Sequence, residues 1–215
     1  MNSLQRTAGR LLLLLSLFQI SAVGASAYDD MLVAIRNDNE AVVSDLLRRG
    51  MDVDTVNPQG ETLLIMAARQ GKPAVVRVIL AGMPRLQARS PIGESALMLA
   101  AIHGHLEVFR MLLDAGAPVN QPGWTPLIYA AAGNRIEMAR LLIGKGAEIN
   151  AAADNGITAM MMAAREGHVQ MVLLLLEHGA DPKMVNTAGH SALSLAIERQ
   201  HTEVEKLLRR AGVVQ

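Results

Sequence analysis

A glycine placed two residues before a threonine or serine returns at Gly60, Gly93, Gly123, Gly156 and Gly189, at intervals of 33, 30, 33 and 33 residues. Each opens a similar phrase: GETLLIMAA at 60–68, GESALMLAA at 93–101, GWTPLIYAA at 123–131, GITAMMMAA at 156–164 and GHSALSLAI at 189–197. A second phrase follows, clearest as GHLEVFRMLL at 104–113 and GHVQMVLLLL at 167–176. Self-similarity at such a period marks a stack of small supersecondary units. None of them can bury its apolar face alone, so neighbours must cover one another.

Each position has a physical reason. The Thr or Ser is placed to cap a helix N-terminus by accepting a backbone N–H. Pro126 sits one residue inside, where its missing N–H costs nothing. The paired alanines let helices of adjacent units approach closely. Gly71, Gly104 and Gly167 fall at the turn between two helices, with Asn134 and Gln200 in their place in two units. Asparagine tolerates the left-handed conformation and glutamine there is a departure. Leucines 112, 113, 141, 142, 174, 175, 207 and 208 are placed to bury the second helix. Gly50, Gly116, Gly146, Gly179 and Gly212 are placed to end it. Two irregularities stand out. Asn120 reaches Gly123 in three residues where Asn150 reaches Gly156 in six, so the connection there is shortened. In Ile79-Leu80-Ala81-Gly82-Met83 the glycine comes one residue early, which reads as an indel in a loop.

These phrases resemble the ankyrin repeat, whose T-P-L-H-x-A signature recurs every 33 residues or so. The likeness extends over the chain from about residue 28, where an atypical first unit keeps Ala34-Ile35 and the run to Gly50. It implies an all-α solenoid of about six helix-turn-helix units with short β-hairpin or loop fingers. The units fall near 28–57, 58–88, 89–120, 121–150, 151–184 and 185–215. It further implies a binding module for another protein, acting through a concave face of fingers and first helices, with no catalytic residue and no cofactor. The family's histidine after the inter-helix turn, here His105, His168 and His201, is expected to be structural and to bond across the turn.

Partner contacts in such proteins come from residues beside the finger glycine and from the end of the first helix. Carried over by position, they are Gln59, Glu61, Arg69 and Gln70, then Ile92, Glu94, Ile102 and His103. The fourth unit adds Gln121 and Trp124, the fifth Asp154, Asn155, Ile157, Arg165 and Glu166, and the sixth Thr187, His190, Glu198 and Arg199. Trp124 is the chain's one tryptophan, and large aromatic side chains are common binding anchors. An alternative role for its ring is to cover apolar surface at the shortened finger.

The first 27 residues read as a secretory signal peptide. Arg6 and Arg10 precede a leucine run from Leu11, and Ala25-Ser26-Ala27 fits a cleavage site, giving a mature start at Tyr28. The apolar run is shorter than the roughly 20 residues a membrane-spanning helix needs, so no stable anchor is expected after cleavage. Losing those two arginines and no acid takes the formal charge from 0 to −2. The expected location is the periplasm or the exterior, and the expected state a monomer.

Composition narrows function further. Twenty basic against 20 acidic residues give none of the positive footprint of a nucleic-acid binder. The chain has no cysteine, so thiol chemistry, disulfides and Cys-ligated zinc are excluded. No P-loop, G-x-S-x-G or G-x-G-x-x-G motif occurs. His105, His168 and His201 belong to different layers and cannot converge on a metal, and the 13 methionines read mainly as core filler. A rival reading keeps the same fold but uses its groove to sequester a small ligand or metal. A further one is an effector- or immunity-type binder.

Overall fold

The computed structural model describes residues 27–212, so the signal-peptide expectation lies, apart from Ala27, outside the described residues. Among the described residues, twelve helices form six antiparallel pairs. α1 covers 27–36 and is followed by α2 (Glu40–Arg48). The next pairs are α3 (Leu63–Gln70) with α4 (Pro73–Ala81), and α5 (Ala96–His103) with α6 (Leu106–Asp114). Then come α7 (Pro126–Ala132) with α8 (Ile136–Gly144), α9 (Ala159–Arg165) with α10 (Val169–Glu177), and α11 (Ala192–Glu198) with α12 (Thr202–Arg210).

Side-chain hydroxyls set where the inner helices begin. Thr62, Ser95, Thr125, Thr158 and Ser191 each accept the N–H three residues on, at 3.2–3.3 Å. Pro126 opens α7 at the first helical position, where no donor is missed. α3, α5, α7, α9 and α11 pack side by side as an inner row, so α5, α7 and α9 each have an inner helix on both flanks. Within that row Leu63 through Ala68 of α3 are all buried, and Ala67, Ala68, Ala100, Ala101, Ala130, Ala131, Ala163 and Ala164 show no exposed surface. A larger side chain at those alanines would push the helices apart. The outer helices bury only one stripe, as in α6 with Val108, Phe109, Leu112 and Leu113. Leu142 and Leu208 are wholly buried, but Leu141 and Leu207 are only half covered. The expectation that both leucines of each pair are core holds for Leu112 and Leu113 and for Leu174 and Leu175. It is corrected for Leu141 and Leu207: adjacent helical positions point about 100° apart, and in α8 and α12 the stripe takes only the second leucine fully.

The histidines act differently from the expectation. His105 Nε2 lies 3.0 Å from Arg69 O, His168 Nε2 3.1 Å from Ala132 O, and His201 Nε2 3.0 Å from Arg165 O. The acceptor is a carbonyl, so Nε2 carries the proton. Each bond runs to the unit before, onto an end-of-helix carbonyl that lacks an intrahelical partner. The histidine is therefore a staple between units, not a bond across its own turn. In the fourth unit Arg135 replaces it, with its guanidinium 3.3 and 3.1 Å from Ile102 O. The staple explains the glycine below it: Gly71 has φ +63°, and a Cβ there would collide with the His105 ring. Gln200 accepts the same left-handed backbone at φ 60°, and the His201 N–H still reaches Ala196 O at 2.8 Å.

The early Gly82 is not an indel. α4 has the same nine residues as α2 and α6, Gly82 is an ordinary C-cap at φ −78°, and Met83 occupies the left-handed position at φ 54°. Its side chain is 88% exposed, so this strain is not offset by packing.

Fingers project from the inner row. Four are closed by a single antiparallel bridge, Val56 to Thr62, Arg89 to Ser95, Ala152 to Thr158 and Val185 to Ser191. Among the described residues no such bridge closes the fourth finger, around Gln121–Trp124, in keeping with its missing residues.

Candidate protein-binding face

One belt of side chains crosses the inner face of units two, three and four. Asn57 at the base of the second finger donates its amide to Glu61 Oε2 at 3.0 Å and accepts the Glu61 N–H at 2.8 Å. Arg69, one helix away, grips the same carboxylate with both terminal nitrogens, one of them 2.9 Å from Oε2. Its guanidinium also lies 3.7 Å from Glu94 of the next unit. The Tyr129 hydroxyl donates to Glu94 Oε1 at 3.1 Å, and Trp124 meets the Tyr129 ring edge to face at 5.8 Å. Burial, the Glu94 charge and the hydrogen bond to Glu94 together push the Tyr129 phenol up to about 12. His103 stacks on His105 at 6.0 Å, and desolvation followed by the charges of His105 and Arg69 holds it below its usual range.

Two of the expected contact residues are corrected. Glu61 and Ile157 directly follow the finger glycine and are only 8% and 6% exposed. At that position the chain turns back toward the helix. The Glu61 carboxylate is enclosed by Asn57 and Arg69, and Ile157 joins the core. Glu94 and Trp124 at the same repeat position are half-buried, and His190 is exposed. Gln59, Gln70, Ile92, His103, Asp154, Asn155, Glu166, Thr187, Glu198 and Arg199 are exposed, while Arg69, Ile102, Gln121 and Arg165 are half-buried. Ile102 lies beneath the Arg135 staple, and Arg165 pairs with its sequence neighbour Glu166 at 2.9 Å. Gln121 donates to Ser95 Oγ at 3.2 Å and Pro118 O at 3.3 Å, which leaves its buried Oε1 without a donor.

The sequence reading missed Tyr129 and Asn57. Tyr129 had a signal: it stands four residues after the capping hydroxyl, where the other units carry Met66, Leu99, Met162 and Leu195, all buried. A phenol in that series needs a polar partner for its hydroxyl, and here the partner is Glu94 of the preceding unit.

The short fourth finger leaves a notch in the finger row. On one side is a cleft of about 290 Å³ lined by Arg89, Ile92, Gly93, Pro122, Gly123, Trp124 and Asp154. On the other is a cleft of about 380 Å³ whose lining includes Gln121, Glu148 and Ala152, with Pro122 and Gly123 shared between the two. Among the described residues no three His, Asp or Glu side chains are grouped so as to hold a metal ion, and no helix is long and apolar enough to cross a membrane.

A linear array of capped helix pairs, stapled unit to unit and carrying a structured strip on one side, defines a helical-repeat interaction scaffold. The family description "Ankyrin repeats (3 copies)" matches residues 31–122, 84–153 and 150–214, and the chain belongs to the ankyrin-repeat family. Ankyrin repeats mediate protein–protein interaction, so this chain is a binding module for another protein. No match is found among curated proteins. Among solved structures, a chain in the complex of the predatory endopeptidase Bd0816 from Bdellovibrio bacteriovorus with the immunity protein Bd3460 is 29% identical. That likeness covers 84% of this chain and 97% of the other, with a TM-score of 0.75.

Proposed function

We propose that this protein is an exported, non-catalytic binder of the immunity type, which engages a protein of the cell envelope through its finger row and inner helices and holds that partner in check. The observation that carries this reading is the 29% identity over nearly the full length of a chain from an endopeptidase–immunity complex. An exported peptidase is accordingly the partner class to expect. The leader read at the N-terminus supports the compartment: a cut after Ala27 would remove only one of the described residues of α1 and leave the rest of the described array in place.

The experiment is purification of the full-length expressed chain from envelope extract, with mass spectrometry of what stays bound and sequencing of the chain's N-terminus. An exported peptidase retained in stoichiometric amount, and a chain beginning at Tyr28, are the expected results. A chain that purifies alone under gentle conditions would overturn the binder reading. One that keeps Met1 would overturn the proposed processing.

A further inference from the structure

We infer that the notch beside the shortened fourth finger receives a basic side chain, arginine or lysine, carried on a projecting loop of the protein partner. The inference rests on the protein-binding reading above and assigns the chemistry of one subsite within it.

The notch follows from the missing residues. Fingers three and five keep their closing bridges and stand on either side of a finger that has none. At the tip of finger three Ile92 is 79% exposed, one of the most exposed large apolar side chains among the described residues. From finger five Asp154 is exposed, and its carboxylate lies over Gly123, close enough that a Cβ there would stand 3.7 Å from an oxygen. Trp124 lines the same cleft. Its ring is oriented by the edge contact to Tyr129, which is itself fixed by Glu94, so the surface is set before any partner arrives.

Charge then selects the occupant. Among the described residues neither Asp154 nor Glu148, which lines the rear cleft, has a salt-bridge partner, whereas Glu61, Glu94, Glu137 and Glu166 all do. The one cation lining the front cleft, Arg89, is turned onto the Pro122 carbonyl at 3.0 Å and makes no ion pair with Asp154. An acidic loop would be repelled. An apolar loop would desolvate Asp154 without pairing it, which is costly. A guanidinium or ammonium can lie over the Trp124 face, pair with Asp154, and rest its aliphatic stem on Ile92. The notch is open to a loop from outside the array, and its two clefts give the loop a place to pass on either side of Pro122.

The test uses the full chain, immobilised, to select from a random heptapeptide display library. Soluble versions of the enriched peptides are then titrated while the emission of Trp124, the sole tryptophan, is followed. The expected result is enrichment of peptides containing Arg or Lys, a shift of Trp124 emission on binding, and about tenfold weaker binding to Asp154→Asn. Asp154→Asn is the primary variant because the side chain is exposed and the change isosteric, so the fold is retained. Trp124→Ala is the second, and because it keeps no tryptophan to report, its binding is read by calorimetry. About tenfold weaker binding is expected and unchanged affinity would overturn the subsite. This variant is accepted only if its melting temperature shows a folded chain. Enriched peptides without a basic residue, affinity unchanged by Asp154→Asn, or no enrichment over bare support would each overturn the subsite. None of these touches the co-purification result, on which the broader reading stands or falls.

Discussion

Arg69 and Arg165 hold the same place in the repeat, at the end of the inner helix, and their side chains are almost equally exposed, at 36% and 35%. The carbonyl of each accepts a histidine from the next unit at 3.0 Å. What differs is the ring of side chains around them. Arg69 grips Glu61, 11% exposed, and touches Glu94, 16% exposed, which is itself held by Tyr129. Arg165 pairs only with the adjacent Glu166, 41% exposed. The backbone makes identical demands in both units, so the difference belongs to the face alone. Units two to four are knitted into a fixed belt. Units five and six present Asp154, His190, Glu198 and Arg199 to solvent without one.

The largest effect should come from the core beneath each region. Leu142 of α8 and Leu208 of α12 are both fully buried, but α12 is the last described helix and, among the described residues, has an outer-row neighbour on one side only. Leu142→Ala should lower stability by about 2–5 kcal/mol, and Leu208→Ala by less, since a terminal unit can relax around the cavity. Chemical denaturation of the two variants measures both. Equal losses would mean that the units do not act as a linear stack.

Next comes the belt itself. Arg69→Ala strands the mostly buried Glu61 carboxylate, leaving Asn57 as its remaining side-chain partner, and should cost about 1–3 kcal/mol. The figure stays below that of a fully buried pair because Arg69 is a third exposed. Arg165→Ala breaks a solvent-screened pair and should cost under about 0.5 kcal/mol. If both variants lose the same amount, the distinction between knitted and open halves collapses.

The same contrast explains what could be read from the sequence. Glycine spacing, capping hydroxyls and alanine pairs serve every unit, so they repeat and give the helix pairs and fingers directly. The belt is made of residues that differ between units, and a period carries no information about them. By repeat position alone Glu61 belongs with the contacts, because it follows the finger glycine. Only the position of Asn57 and Arg69 in space shows that its carboxylate is enclosed. Ile157 shares that position, and there a hydrophobic residue turns into the core. The repeat marks the histidines as structural, but the direction of their bond, back to the previous unit, depends on how units stack.

Met83 gives a smaller test of the shared backbone demand. It stands in the left-handed position that Gly50 and Gly116 hold at the ends of the equivalent helices. Left-handed backbone costs a non-glycine residue roughly 1–2 kcal/mol, partly offset because glycine loses more freedom on folding. Met83→Gly should therefore raise stability by about 0.5–1 kcal/mol in thermal or chemical unfolding, with no packing lost from a side chain this exposed. Gly116→Met should move the other way.

The finest probe of the belt is optical, because the chain has only two tyrosines. Tyr129 is pushed up to about 12 by burial first, then by the Glu94 charge and the hydrogen bond to Glu94, and Tyr28 is also raised, by desolvation and by Asp29. The folded state thus favours the neutral phenol. The stability that Tyr129 contributes is complete below its ordinary value of 10.0, where folded and unfolded chains are both protonated, and is lost as pH climbs from there toward 12. In a spectrophotometric titration of the folded protein, little phenolate from Tyr129 should form near pH 10. Glu94→Gln removes the neighbouring charge but keeps the burial, so it should bring the Tyr129 midpoint part of the way back toward 10.0. Glu166→Gln, in the open half, should leave the curve unchanged. A Tyr129 midpoint that does not move in Glu94→Gln would show that Glu94 is not coupled to the phenol. The belt would then end at Arg69 instead of running through to Trp124 and the notch.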